Sequence, residues 1–102
     1  MKILIISNNE RGLKLIDSLK KKFDVSTALS PKIYSKIDGI SNSLKIPKNI
    51  NNPNFIKKIN QLSIKLVILA GFNQIISKST LITSKSIWIN LHAGDLPLMR
   101  GS

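Results

Sequence analysis

The segment that most constrains the fold is the run of residues 65–71, which reads KLVILAG. The run is apolar from its second to its sixth residue, and a glycine ends it. A continuous apolar run of this length, without alternation, is typical of a strand buried on both faces of a parallel sheet. We therefore expect residues 65–71 to form a central strand.

A second run of this kind, MKILIIS at residues 1–7, predicts the first strand of the same sheet. It is followed by Asn8 and Asn9, either of which could cap a helix. The next apolar residues recur at helical spacing with charged residues between them, which indicates an amphipathic helix packed against the sheet. Its predicted buried residues are Leu13, Ile16, Leu19 and Phe23.

The remaining elements are shorter. Residues 24–29 and 86–91 read as strands, and Ser77 is expected to cap a short helix that runs to about Ser84. Another helix should begin at Asn52 and Pro53, because asparagine is a good cap and proline suits the first helical position. Its predicted buried stripe is Phe55, Ile59 and Leu62.

Residues 32–52 are less regular and predict a helical turn that includes Tyr34, Ile37 and Ile40 and a short edge strand at residues 44–46. Strands and helices otherwise alternate with short connections. That order predicts a single α/β domain with an open, Rossmann-like parallel sheet and flanking helices.

Charge and composition limit the function classes. The chain has 102 residues, a formal net charge of +11, no cysteine and one histidine. This excludes a thiolate metal site and a multi-histidine centre within the chain, so we expect no metal. The positive charge is compatible with nucleic-acid binding, but the lysine clusters are weak. An adenine- and thymine-rich base composition would produce the same excess of lysine, and we favour that explanation.

The chain has no secretory signal and no apolar run long enough to span a membrane, so a cytoplasmic protein is expected. It also lacks the G-x-G-x-x-G and G-x-x-x-x-G-K-S/T phosphate-binding motifs, which argues against a nicotinamide dinucleotide or a P-loop nucleotide. Arg11 lies near a predicted helix N-terminus and could contact an anionic substrate. The alternative, a solvated surface arginine, is favoured on the residues alone.

The last predicted strand carries the candidate chemistry. Side chains alternate along a strand, so Trp88, Asn90 and His92 should share one face, with Asn90 and His92 about 6 to 7 Å apart at the carboxyl end. An asparagine amide can donate to a developing oxyanion, and a histidine can move protons near neutral pH. A structural, hydrogen-bonding histidine is the alternative.

Residues 90–101, NLHAGDLPLMRG, resemble the N-x-H-x-x-x-L-P-x-x-R-G signature of the folate-dependent formyltransferases. This family contains enzymes that act on methionyl-tRNA, on glycinamide ribonucleotide and on amino sugars. Residues 69–77 are similar to the family's strand and following loop, and the resemblance covers residues 66–102 well. It implies the same Rossmann-like fold.

The resemblance also implies residue roles. Asn90 would correspond to the catalytic asparagine that binds the formyl oxygen, and His92 to the catalytic histidine. The loop residues Phe72, Asn73, Gln74, Ile75 and Ile76 would hold the pterin of 10-formyltetrahydrofolate. The implied reaction is attack of a substrate amine on the formyl carbon through a tetrahedral intermediate.

Three departures from the family pattern qualify these expectations. The family's catalytic aspartate lies some tens of residues after the histidine, and Asp95 is not that residue. We therefore expect residues 1–102 to be the N-terminal part of one catalytic domain, truncated at the C-terminus and inactive alone. Met99 stands where an aromatic residue is common, which puts a stacking contact there in doubt.

The third departure, the tripeptide His92-Ala93-Gly94, resembles members that act on nucleotide-linked amino sugars. Such a sugar is the leading expected acceptor, and initiator methionyl-tRNA is the alternative. A second alternative is a non-catalytic, basic α/β module that binds nucleic acid or another anionic partner.

Overall fold

The computed structural model describes residues 1–34, 44–91 and 98–99. The strands are β1 (Lys2–Ser7), β2 (Asp24–Leu29), β3 (Leu66–Ala70), β4 (Ile87–Leu91) and β5 (Leu98–Met99). The helices are α1 (Arg11–Leu19), α2 (Pro31–Tyr34), α3 (Pro53–Gln61) and α4 (Lys78–Thr83).

The described strands form one sheet in the order β2-β1-β3-β4-β5. Strands β1 to β4 pair in parallel, with β3 at the centre, so the predicted Rossmann-like α/β sheet and its central strand are confirmed. Strand β5 was not predicted. It pairs antiparallel with β4 over only two residues, too few to show an alternating pattern in the sequence.

The two faces of the sheet bury different side chains. Strand residues Ile3, Ile5 and Ile68 pack with Ile16 of α1 on one face, called here the α1 face. Residues of α3 and α4 cover the other face, called the α3 face. Its core is formed by Leu4, Ile6, Val67, Leu69, Trp88, Phe55, Ile56 and Ile59, among others.

The predicted starts of α3 and α4 are confirmed. The side chain of Asn52 accepts a hydrogen bond from the Asn54 backbone N–H at 2.8 Å, and Pro53 is the first residue of α3. The Ser77 hydroxyl accepts from the Thr80 N–H at 3.1 Å at the start of α4. These bonds satisfy backbone donors that have no partner within the helix.

Three details of the prediction were wrong. Helix α1 ends at Leu19, so Phe23 lies beyond it and is 37% exposed. Leu62 lies just after α3 and is exposed, and Ile56 is buried in the stripe instead. Residues 44–46 form no strand: Leu44 makes one backbone bond, to the Thr27 carbonyl at 3.1 Å, and Pro47 lacks a donor to continue a ladder.

Of the predicted helical turn, Tyr34 is the last residue of α2, and Ile37 and Ile40 lie outside the described residues. Among the helices described, none has both the length and the apolar character needed to cross a bilayer. Residues 1–34, 44–91 and 98–99 contain no group of His, Asp and Glu side chains placed to hold a metal ion.

Candidate active site

Asn90 lies one residue before the carboxyl end of β4, paired in register with Leu69 of β3. Its neighbour two residues back, Trp88, is fully buried and donates from Nε1 to the Ser84 hydroxyl at 2.8 Å. This bond ties β4 to Ser84, the residue at the C-cap of α4. Because strand side chains alternate, Asn90 projects toward the α3 face as Trp88 does.

Asn90 is only 5% exposed, and within the part of the chain that the structure describes its Oδ1 is buried without a hydrogen-bond partner. An unsatisfied buried polar atom costs about 1–3 kcal/mol, so folded proteins keep few of them. In this class of fold, ligands bind at the carboxyl edge of the parallel sheet, and this atom lies at that edge. Asn90 is therefore a candidate for binding or catalysis.

His92, the second predicted catalytic residue, lies outside the described residues, as do Asp95 and Arg100. The expected common face of Asn90 and His92 stays a prediction.

The predicted cofactor loop, residues 72–76, follows β3 directly. Phe72 and Ile76 are buried in the core of the α3 face together with Trp88. Their side chains therefore anchor the loop to the α3 face, toward which Asn90 also projects. Asn73 is exposed, and Ile75 is 82% exposed, which makes it the most accessible large apolar side chain among the described residues.

Gln74 makes contacts that the sequence did not predict. Its Oε1 accepts from the Ile50 N–H at 2.8 Å, and its Nε2 donates to the Lys48 carbonyl at 3.1 Å. Both ends of the amide are engaged within the protein. Gln74 thus fastens the loop, and Asn73 and Ile75 are the loop residues that face outward.

The loop begins at Gly71, whose φ of 67° is in the left-handed region that favours glycine. A Cβ at this position would collide with the side chain of Asn9. Asn9 donates from Nδ2 to the Gly71 carbonyl at 3.4 Å and accepts the Arg11 N–H at Oδ1 at 2.9 Å. The prediction that Asn8 or Asn9 caps α1 was wrong, because the N-cap residue is Glu10. Asn9 lies one residue earlier and ties the start of α1 to the end of β3.

Arg11 and Lys14 stand at an open cleft of about 500 Å³ at the same carboxyl edge. The described residues that line it are Arg11, Lys14, Leu15, Ser18, Ala70, Gly71 and Leu91. They combine two cations with an apolar floor and contain no carboxylate. Such a lining suits an anionic group attached to an apolar body.

The structure does not bring Arg11 and Asn90 together on one face. Leu91 lines the cleft on the α1 face, and alternation turns Asn90 toward the α3 face. Lys14 was missed by sequence reasoning, although its position three residues after Arg11 on a helix places both on one side.

Comparison with curated proteins gives three relatives, each a methionyl-tRNA formyltransferase. The protein of Fusobacterium nucleatum is 33% identical over 92 aligned residues, 85% of this chain and 30% of that protein. That of Clostridium acetobutylicum is 27% identical over an alignment that covers 100% of this chain and 38% of that protein.

The protein of Thermodesulfovibrio yellowstonii is 38% identical over 56 residues, 55% of this chain and 18% of that protein. The chain thus spans well under half the length of these relatives. No family model matches it, and no solved structure does.

Three observations agree: a parallel sheet of the expected topology, an asparagine at the end of β4 whose buried oxygen has no partner among the described residues, and similarity to formyltransferases over most of the chain. The chain belongs to the formyltransferase family.

Proposed function

We propose that the protein to which this chain belongs transfers a formyl group from 10-formyltetrahydrofolate to a primary amine. The observation that carries the proposal is Asn90, which is nearly fully buried at the carboxyl end of β4 and whose Oδ1 has no partner in residues 1–34, 44–91 and 98–99. A carboxamide offers a donor and an acceptor a fixed distance apart. Formyl transfer needs both, since a carbonyl oxygen gains negative charge while an amine must be held in place.

In this proposal the Asn90 Nδ2 donates to the formyl oxygen and stabilises the charge that develops there. Its Oδ1 accepts from an N–H of the incoming amine. The amine nitrogen bonds to the formyl carbon, the bond from that carbon to the donor nitrogen breaks, and one proton passes from the amine to the departing nitrogen. His92 assists that proton movement.

Residues 72–76 would hold the folate, which supplies the activated formyl group. Ile75 offers an exposed apolar side chain, and Asn73 is an exposed amide beside it. Phe72 and Ile76 contribute by anchoring the loop in the core. An exposed isoleucine flanked by anchored residues suits the flat, apolar face of a pterin.

The relatives' names favour initiator methionyl-tRNA as the acceptor over the nucleotide-linked amino sugar expected from the sequence. The tripeptide His92-Ala93-Gly94 keeps the sugar as a second candidate. Both acceptors carry phosphate close to the amine-bearing part. Arg11 and Lys14 at the cleft are the described cations best placed to attract it.

The choice of acceptor is tested with the full-length protein by measuring kcat/KM for each acceptor at saturating 10-formyltetrahydrofolate. We expect kcat/KM for methionyl-tRNA to exceed kcat/KM for the nucleotide-linked amino sugar by more than tenfold. Substituting both cations (Arg11→Ala with Lys14→Ala) should raise the acceptor KM about tenfold and leave the donor KM unchanged, because the cations lie on the α1 face whereas residues 72–76 pack against the α3 face.

Lys57→Ala, an exposed lysine of α3, is the matched control and should change neither KM. A higher kcat/KM for the sugar would reverse the assignment of the acceptor. Salt-sensitive RNA binding without transfer to either acceptor would favour the non-catalytic basic module.

A further inference from the structure

The loop of residues 71–76, called here the donor loop, contains no helix or strand. Its backbone groups therefore lack the partners that a sheet or helix would give them, and unpaired backbone groups are costly when shielded from water. A loop that contacts a ligand must also keep one conformation if binding is not to be weakened by ordering it. Something outside the loop has to supply both the partners and the rigidity.

The supplier is the turn of residues 48–51, called here the anchor turn. The turn is itself held by a bond from the Asn52 N–H to the Asn49 carbonyl at 3.0 Å and by one from the Asn51 N–H to the Asn49 Oδ1 at 2.9 Å. Ile50 at its centre is fully buried in the core of the α3 face. The anchor turn is thus a rigid support and not a second mobile loop.

Asn51 connects this support to the far end of the donor loop. Its Nδ2 donates to the Ile75 carbonyl at 2.9 Å, and its Oδ1 accepts from the Ser77 N–H at 2.8 Å. The same Oδ1 accepts from the Thr80 hydroxyl at 2.8 Å, which ties in the first turn of α4. One side chain therefore fixes the backbone on both sides of Ile76.

Gln74 makes the reciprocal connection from the donor loop to the anchor turn, through Lys48 and Ile50. Two amides, one on each segment, thus cross-link the segments over 24 to 26 residues of sequence. With the loop held by these two amides, the side chains of Asn73 and Ile75 are exposed to solvent. None of these hydrogen bonds uses the side chain of Asn73 or Ile75.

We propose that Asn51 is a positioning residue for the folate donor: it sets the conformation in which the donor loop presents Ile75 and the neighbouring backbone. Asn51 does not touch the ligand. This inference rests on the proposed function, because it assigns the donor loop to the folate.

The chain offers a matched control in Asn60, which makes the same kind of clamp elsewhere. Its Nδ2 donates to the Thr83 carbonyl at 3.1 Å, and its Oδ1 accepts from the Lys85 N–H at 2.9 Å. It joins α3 to the segment before β4, at the other end of the sheet from the donor loop. Asn60→Ala should lower stability as Asn51→Ala does, without altering the donor loop.

The experiment compares the full-length wild-type protein with Asn51→Ala, Asn51→Asp and Asn60→Ala. Binding of 5-formyltetrahydrofolate, a stable folate, is measured by calorimetry, and the KM for 10-formyltetrahydrofolate and kcat are measured by steady-state kinetics. We expect Asn51→Ala to raise the folate Kd and the donor KM about tenfold, with the acceptor KM unchanged. Asn51→Asp keeps the acceptor for Ser77 and Thr80 but not the donor to Ile75, so its effect should be intermediate.

Asn60→Ala should leave the folate Kd and the donor KM within twofold of wild type. Hydrogen exchange gives a second readout that needs no ligand: protection of the Ser77 amide should be lost in Asn51→Ala and kept in Asn60→Ala. Folate binding by Asn51→Ala equal to wild type, or equal losses in Asn51→Ala and Asn60→Ala, would overturn the positioning role while leaving the proposed function intact. A wild-type protein that binds no folate would overturn the proposed function and this inference with it.

Discussion

Asn90 differs from the other buried polar residues described in having a buried side-chain atom that pairs with no described residue. Ser84, by contrast, is buried and accepts from both the Trp88 Nε1 and the Ser86 N–H. A buried polar residue that serves the fold has hydrogen-bond partners within the protein, and Ser84 has them. The Asn90 Oδ1 has no such partner among the described residues, which is why we propose a role in the chemistry for Asn90.

This difference predicts opposite effects on stability. Asn90→Leu removes an unsatisfied buried acceptor and should leave the free energy of unfolding unchanged or raise it by up to about 1 kcal/mol. Ser84→Ala leaves two buried donors without their acceptor and should lower it by about 1–3 kcal/mol. Urea unfolding monitored by Trp88 fluorescence measures both. A loss of stability in Asn90→Leu as large as that in Ser84→Ala would assign Asn90 to the structure instead.

The sequence identified Asn90 through strand alternation and the motif that follows it. It could not show that Phe72 and Ile76 are core residues or that Gln74 is bound to the anchor turn. Apolar loop residues look the same in sequence whether they face the core or a ligand. Only the packing of Phe72 with Trp88, and the bond from Gln74 to Lys48, separate those cases.

The helices and strands agree with the sequence-based prediction where local residue chemistry determines their positions. The Asn52 cap and Pro53 mark the start of α3, and uninterrupted apolar runs mark β1 and β3. The contacts between the anchor turn and the donor loop could not be predicted, because Asn51 and Ser77 are distant in sequence and neither lies in a periodic pattern. The same holds for β5, where two residues pair with β4.

The cap of α3 gives a prediction at this scale. Asn52→Ala removes the acceptor for the Asn54 N–H and should lower the free energy of unfolding by about 1 kcal/mol. Asn54→Ala is the matched control, because Asn54 contributes its backbone N–H to this bond and should change stability by less than about 0.5 kcal/mol. Equal effects of the two substitutions in thermal unfolding would contradict the capping role.

Across the whole molecule, the carboxyl edge of the sheet gathers the functional candidates on two faces. Arg11 and Lys14 stand at a cleft on the α1 face, and Asn90 and the donor loop lie toward the α3 face. An enzyme that joins two substrates needs two such regions, one for the donor and one for the acceptor. In the proposed reaction, the cleft on the α1 face would hold the acceptor's phosphate, and the chemistry would take place at Asn90 on the α3 face.

The net charge of +11 is less informative than this arrangement. The described lysines are exposed on several elements, including α1, α3 and α4, and do not gather on one face. That distribution fits a lysine-rich composition. It still allows an RNA acceptor to be attracted over a broad surface, with Arg11 and Lys14 acting locally at the cleft.

The most direct test is formyl transfer from 10-formyltetrahydrofolate to methionyl-tRNA by the full-length protein, comparing wild type with Asn90→Leu and His92→Ala. We predict turnover by the wild type, and in both variants a loss of at least 100-fold in kcat with the fold retained, in line with the loss of an oxyanion donor or a general acid–base group. Wild-type protein without turnover on any amine acceptor, or an Asn90→Leu variant with near wild-type kcat, would contradict the account.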